Sequence, residues 1–367
     1  MASRRFYRNY PSHPRTKTGS ELTRQQRLGR PSRHAPEGCK QRLRSGALPA
    51  LLASVLATLS PFPVWAWNDF GHMVVAAVAW AHLDPGARQQ ATRLLRLNPD
   101  YPRWIAGIDP QVRDVTAFLH AATWPDAIKR EPGYLDDGER PTGADATRNS
   151  GYDDPNEHRY WHFVDVPFST DGTPLPDVPF PNAASRVSDF RQILADPTAS
   201  SALKSYDLTW LMHLVGDLHQ PLHATSRFTH EQPQGDLGGN RVRLCDPPCR
   251  EDLHYFWDRV LGRGTPVEAL ALSRHLPDPA PQRIADTNIE HWVQESGVLA
   301  RSVVYVAPIG AGSGPYALTE AYRDQARALA RERIALAGRR LAVLLNAALA
   351  PGAAPRRAAV AVAGAPR

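Results

Sequence analysis

The stretch His213-Leu-Val-Gly-Asp217-Leu-His-Gln-Pro-Leu-His223 decides how the rest of the chain is read. Residues four apart share one face of an α-helix, so His213 and Asp217 can meet at one point, while Pro221 ends the helix and lets His223 turn back. Taken alone, the pair also suits a capped or salt-bridged surface helix. The arrangement recurs in Asp252-Leu-His254-Tyr-Phe-Trp-Asp258, where His254 and Asp258 are again four apart. Two such helices facing each other line a cleft with imidazole and carboxylate. These are the ligands expected of zinc in an open site that keeps a coordination position for water. Trp124-Pro-Asp126 and Trp161-His162-Phe163-Val-Asp165 add ligand-type side chains, each beside an aromatic that can wall off the surroundings.

Around these segments helical periodicity prevails. Apolar residues at i, i+3, i+4 spacing run through 72–81, 85–97, 111–122, 183–194, 207–218, 252–261, 286–305 and 316–347. The expected fold class is all-α, a single mostly helical domain, since no composition break marks a second one and no repeat is present. Residues 238–244 read as half of a small β-hairpin, and the Gly-, Asp- and Pro-rich stretches 130–160 and 165–182 as long surface loops.

A chain of 367 residues with 42% hydrophobic and 22% charged residues, 34 Pro and three Cys is not collagen, a disulfide knot or a wholly disordered chain. Its net charge of +6 points to a polyanionic partner only if that charge is spread over the molecule, and it is not. Residues 1–66 hold 12 Lys and Arg against Glu21 and Glu37; subtracting these from 43 and 37 leaves 31 basic and 35 acidic residues in 67–367, a net charge of −4. The extension runs from Arg-rich sequence through the apolar stretch 47–59 to Pro61 and the small residues Val64 and Ala66. That is the pattern of a secretory signal, with cleavage expected between Ala66 and Trp67 and release to the periplasm or the outside. The apolar stretch is well short of the roughly 20 residues a bilayer span needs. The expected organisation is a signal segment 1–66, a domain 67–348 and a disordered tail 349–367. Cys39 would leave with the extension. Cys245 and Cys249, flanking a Pro-rich turn in an exported chain, are expected to form a local disulfide; a zinc site there would need two further ligands.

Cleavage after Ala66 would give Trp67-Asn-Asp-Phe-Gly-His72 and free an α-amino group able to bind metal together with its own carbonyl oxygen. With Trp67, His72, Asp126, His162, His213, Asp217, His223, His254 and Asp258 in this order and spacing, residues 67–348 resemble the secreted zinc-dependent single-strand-specific nucleases of fungi, plants and bacteria, the S-one/P-one type. The zinc phospholipases C of bacteria share that fold. The resemblance implies a trinuclear zinc cluster. Asp126, His162 and His213 would hold one ion, Trp67 and His72 a second, with Asp217 bridging these two, and His223, His254 and Asp258 the third. It further implies that Asp165 orients the attacking water, Lys129 stabilises the charged transition state, and Phe163 and Asn240 contact the base. Zinc then replaces a side-chain nucleophile, and an acidic chain can still attract phosphate through its ions. The expected substrates are single-stranded DNA and RNA and 3′-nucleotides, cleaved to 5′-nucleotides by a monomer without stable membrane association.

Two rivals accompany this reading. The first is a zinc phospholipase C, against which Asp258 counts because those enzymes resemble one another in carrying Glu there. The second is a membrane-tethered, non-enzymatic zinc-binding protein, which would follow if residues 47–66 were retained. His82, His120, His158, His219, His230, His275 and His291 have no partner pattern and read as surface or helix-packing residues. Asp136-Asp137 and Asp153-Asp154 read as solvated loop charges.

Overall fold

The structure is a computed structural model that describes residues 67–349 apart from 246 and 247; the expected signal segment and the tail beyond 349 lie outside the described residues. Its helices are α1 (Asp69–Ala81), α2 (Pro85–Leu95), α3 (Tyr101–Trp104), α4 (Arg113–Ala121), α5 (Trp124–Ala127), α6 (Ala183–Ala195), α7 (Ser201–Asp217), α8 (Leu253–Asp258), α9 (Pro266–Ser273), α10 (Pro281–Ala285), α11 (Ile289–Leu299) and α12 (Glu320–Leu349). The mostly helical expectation holds.

Helix α7 is the central element. The Ser200 hydroxyl accepts from the Leu203 amide to start it, and from Ser205 to Asp217 every residue is buried. A helix buried on all faces belongs inside a larger assembly of helices. Here α1, α2, α5, α6 and α12 pack around it. The core so formed includes Val74, Val75, Leu94, Phe118, Trp210, Leu211, Leu341 and Leu345. Each such side chain contributes about 1.5–3 kcal/mol by leaving water. Where α12 crosses α1, a Cβ on Gly338 would lie 2.5 Å from Val78 Cβ, so only glycine permits this approach.

A second apolar cluster gathers Leu222, Val242, Leu253, Trp257, Val304 and Tyr322. The chain therefore leaves the first core at Leu218 and enters the second at Leu222, pinning the segment between on both sides. No helix among the described residues is long and apolar enough to cross a membrane.

Two small sheets complete the fold. Strand β1 (Val166–Ser169) pairs in parallel with β2 (Thr225–Phe228), and β3 (Arg243–Leu244) pairs antiparallel with β4 (Glu251–Asp252). The second pair is the expected hairpin, and Cys245 and Cys249 are disulfide-bonded across its turn. Only the last two residues of 238–244 are strand, because Gly238 and Gly239 take positive φ and turn the chain instead. The reading of 165–182 as loop is corrected by β1, whose partner lies some sixty residues away and leaves no local periodicity. The stretch 130–160 is irregular as expected, with single 3-10 turns at Ala144–Thr147 and Gly151–Asp153. The expected helix 286–305 begins instead at Ile289, capped by the Asn288 side chain, and its end relaxes into a π turn over Ala300–Val304.

Candidate metal centre and active site

Six separate pieces of chain deliver the candidate ligands. Helix α1 starts with Asn68, whose side chain accepts from the Gly71 amide, and presents His72 in its first turns. Helix α5 carries Asp126, and the turn Arg159–His162 carries His162. Helix α7 presents His213 and Asp217 on one face, as their spacing requires. Pro221 then opens a 3-10 turn, Pro221–His223, that returns His223. Helix α8, capped by the Asp252 carboxylate accepting from the Tyr255 amide, presents His254 and Asp258.

These side chains converge into three groups whose ligand atoms each lie within 4.8 Å of one another: His72, His213 and Asp217; Asp126, His162 and His213; and His223, His254 and Asp258. His213 Nε2 lies 3.0 Å from His162 Nδ1 and 3.4 Å from Asp217 Oδ2, and His72 Nε2 lies 3.3 Å from Asp217 Oδ1. In the third group His223 Nε2 and His254 Nε2 are 3.1 Å apart, with Asp258 3.4 Å from the latter. Asp217 Oδ2 is 3.1 Å from His162 Nδ1 and 4.0 Å from His223 Nδ1, so it stands between the groups. A Cβ on Gly216 would come within 2.8 Å of His72 Nδ1, which is why a glycine precedes Asp217.

The second nitrogens reveal what the site is built for. His213 Nδ1 donates to the Ala122 carbonyl at 2.8 Å, His223 Nδ1 to the His162 carbonyl at 2.8 Å, and His254 Nδ1 to the Gly238 carbonyl at 2.7 Å. A carbonyl only accepts, so each Nδ1 carries the proton and each Nε2 presents a lone pair. His223 and His254 therefore point lone pairs at each other in a fully buried space. Buried oxygens of Asp126, Asp217 and Asp258 are also without a hydrogen-bond partner. Such an arrangement costs free energy unless a cation sits among the groups, and nitrogen with carboxylate oxygen is a zinc-type donor set.

Burial also sets the proton affinities. It pushes the His72, His162 and His213 imidazoles well below their usual range, and His254 down to about 4. The same cause raises Asp217 far above the usual carboxylate range and Asp258 to about 7. Without a cation, burial disfavours the charged form of each of these groups. Divalent ions are what would ionise the carboxylates.

Of the remaining predicted residues, Lys129 and Phe163 touch ligand side chains, while Asp165 and Asn240 stand on segments bonded to them. Lys129 is nearly fully buried, its ammonium 2.8 Å from Asp126 Oδ1. Phe163 stacks on His223 with ring centroids 4.7 Å apart. Asn240 follows the two glycines of the His254-holding loop, its side-chain amide donating to the Leu237 carbonyl. Asp165 takes a left-handed backbone, φ 54°, between Val164 and Val166, whose amides donate to the His223 and Ala224 carbonyls. Its half-buried carboxyl is pushed up to about 7, first by burial and then by Asp236 and Glu139. The Trp67 indole donates to the Gly216 carbonyl at 3.1 Å, and the Asn68 amide donates to the Asp258 carbonyl at 2.9 Å, so the start of the domain is fastened beside the ligands.

Sequence reasoning missed two features. Gln220 donates to Asp258 Oδ1 at 2.7 Å while its own oxygen accepts from the Leu222 amide, which fixes a ligand carboxylate; its place inside the central motif was the available signal. The loop charges also need correction. Asp137 and Asp154 are not solvated but flank buried His158, while Asp136 and Asp153 are exposed. His219, within the motif, is a buried packing residue as its spacing from Asp217 suggested; it donates to the Val215 carbonyl and meets Arg340.

Fold and site together define a mostly helical protein with buried side chains preformed for metal. The chain belongs to the S1/P1 Nuclease family, whose model matches residues 67–350. Endonuclease 1 of Arabidopsis thaliana is 23% identical over 332 residues, covering 83% of this chain and 93% of that protein. Nuclease S1 of Aspergillus oryzae is 25% identical over 220 residues, 58% of this chain and 60% of its own. Endonuclease 3 of Arabidopsis thaliana is 25% identical over 202 residues, 53% and 54% of the two chains. The protein is accordingly a nuclease, a metal-dependent hydrolase of phosphodiester bonds acting on nucleic acid.

Proposed function

We propose that the protein is an exported, zinc-dependent endonuclease and 3′-nucleotidase that hydrolyses single-stranded DNA and RNA to 5′-nucleotides. The observation that carries this reading is the convergence of unprotonated imidazole nitrogens and unbonded carboxylate oxygens in three buried groups. Asp126, His162 and His213 would hold one zinc; His72, with the Trp67 amine and carbonyl, a second; and His223, His254 and Asp258 a third. Asp217 would bridge the first two. When bound, the ions supply a reactive water near neutrality and take up the charge of phosphate and leaving oxygen.

The chain's own side chains would do the rest. Asp165 accepts a proton or hydrogen bond from the attacking water, a role suited to a carboxyl whose affinity lies near neutrality. Lys129, fixed against Asp126, places a positive charge beside the reacting phosphate. Phe163 and Asn240 receive the base. A paired base cannot be splayed onto them, which favours single strands. Signal cleavage between Ala66 and Trp67 would complete the second zinc site. Its support is that the family match begins at Trp67 and that Asn68 is tied to Asp258. The enzyme would act as a monomer in the periplasm or outside, without stable membrane association.

The test is a side-by-side assay of the purified, zinc-supplemented protein on single-stranded DNA, RNA, 3′-AMP and phosphatidylcholine, with and without chelator. Release of 5′-mononucleotides, lost on chelation, is expected. Phosphocholine release with nucleic acid left intact would overturn the substrate assignment in favour of the phospholipase reading.

A further inference from the structure

A groove of about 280 Å³ runs beside the site, bounded by Asn68, Asp69 and Phe70 at the start of α1, by Arg130, and by Arg259 and Arg263 after α8. It is tied to the candidate ligands along the chain and by one backbone hydrogen bond. Asn68 follows Trp67 and donates its amide to Asp258, Arg130 follows Lys129, and Arg259 follows Asp258. The groove holds three guanidinium groups against one carboxylate, Asp69, which lies 3.6 Å from Arg130. Arg130 and Arg263 are exposed, and among the described residues Arg263 forms no ion pair. The Arg259 guanidinium is braced over the Tyr255 ring, 4.5 Å from its centroid, and donates to the Tyr255 hydroxyl. Tyr255 belongs to α8, the helix of His254 and Asp258, so this cation is fixed relative to the ligand helix.

The concentration of charge is local. Residues 67–367 carry a net charge of −4, so a polyanion gains little from the surface as a whole and much from this groove. Planar guanidinium groups match phosphate oxygens in pairs, which ammonium groups do not.

We propose that the groove lined by Arg130, Arg259 and Arg263 is a subsite for the backbone phosphates of the substrate strand, next to the phosphate being cleaved. The inference rests on the single-strand nuclease reading and deepens it. The metal groups hold the scissile phosphate, and the groove holds its neighbours, so longer strands bind more tightly than mononucleotides. The ligand class is a flexible single-stranded polyphosphate chain without base preference at this position, because the contacts invoked, those of the three guanidinium groups, are to phosphate.

The experiment measures the Kd of the zinc-supplemented protein for a fluorescent, cleavage-resistant phosphorothioate strand of about eight nucleotides, by anisotropy across a salt series. Arg263→Gln and the double variant Arg259→Gln/Arg263→Gln are compared with wild type, and Arg327→Gln on α12 serves as a charge control outside the groove. The double variant is expected to bind roughly tenfold more weakly, and its slope of log affinity against log salt to be shallower by about 1.4, about 0.7 for each cation removed. The single variant should show about half that change in slope, and the control none. Equal affinity and slope for both groove variants, with wild-type thermal stability, would overturn the subsite while leaving the nuclease reading intact. Failure of wild type to bind or cleave any strand would overturn both.

Discussion

Two buried sets of histidine and aspartate in this molecule are built in opposite ways. In the candidate metal centre, His213, His223 and His254 each commit Nδ1–H to a backbone carbonyl, so their Nε2 lone pairs converge. His158 instead has a carboxylate against each ring nitrogen, Asp137 at 3.4 Å and Asp154 at 3.3 Å, and its ring stacks on Trp161 with centroids 3.5 Å apart. Burial lowers the proton affinity of His213 and His254 in the first set. At His158 burial acts the same way, yet the carboxylates of Asp137 and Asp154 beside its two ring nitrogens outweigh it and the net shift is upward. One set needs a foreign cation, and the other supplies its own. The direction in which the second nitrogen points, rather than the mere presence of His and Asp, separates a metal site from an ion pair.

The two sets are linked along the chain. His158 immediately precedes the turn that delivers His162, and its partners belong to the stretch pinned by the Leu135 amide to the Pro155 carbonyl and the Glu157 amide to the Leu135 carbonyl. His158 therefore fastens an otherwise irregular stretch under a ligand-bearing turn.

The contrast is broken most sharply by His213→Ala. His213 belongs to two of the three groups, so its loss should remove metal from both and lower strand cleavage by more than the roughly 10- to 100-fold typical of a supporting residue. Metal content and kcat/KM on the same sample check this. Gln220→Ala, which frees Asp258 without touching a ligand, should weaken metal binding by about 10- to 100-fold, read by competition with a chromogenic chelator.

His158→Gln should leave metal content intact and cost about 3 kcal/mol of stability near pH 6, as for breaking a buried ion pair. The pH dependence follows from the signs. A raised histidine pKa means that its contribution is full below the ordinary value of 6.5 and is lost as pH rises through the folded value. Asp154, held below its ordinary 3.8, loses its contribution only as pH falls through its own folded value. Urea midpoints of wild type and variant should thus converge as pH is raised beyond 6.5, and a gap that stays constant into alkaline pH would show that no imidazolium is involved. The smallest effect is expected for Asp153→Asn, on an exposed carboxylate, at within about 0.5 kcal/mol, whereas Asp154→Asn should approach the His158 variant.

The legibility of the two sets in the sequence follows from the same geometry. His213 with Asp217 and His254 with Asp258 are visible because a helix converts a spacing of four into one face, and Pro221 marks the return of His223. The His158 set is less legible because Asp154, although four residues away, shares no helix with it, and Asp137 meets it through the long-range pairing of Leu135 with Asn156. Helix α9 was missed although Thr265 and Glu268 form a capping box that the sequence displays. Strand β1 carried no such sign, since four residues paired across the fold have no periodicity of their own. The carbonyls of Ala122, His162 and Gly238, which fix the tautomers, cannot be read from side-chain identities at all.

If the converging lone pairs hold ions, cleavage depends on those ions. Elemental analysis of the purified protein, with strand cleavage measured on the same sample before chelation, after it, and after zinc is returned, tests this most directly. Three zinc ions per chain are expected, with loss of cleavage on their removal and recovery on their return. Full cleavage by protein stripped of metal would contradict it.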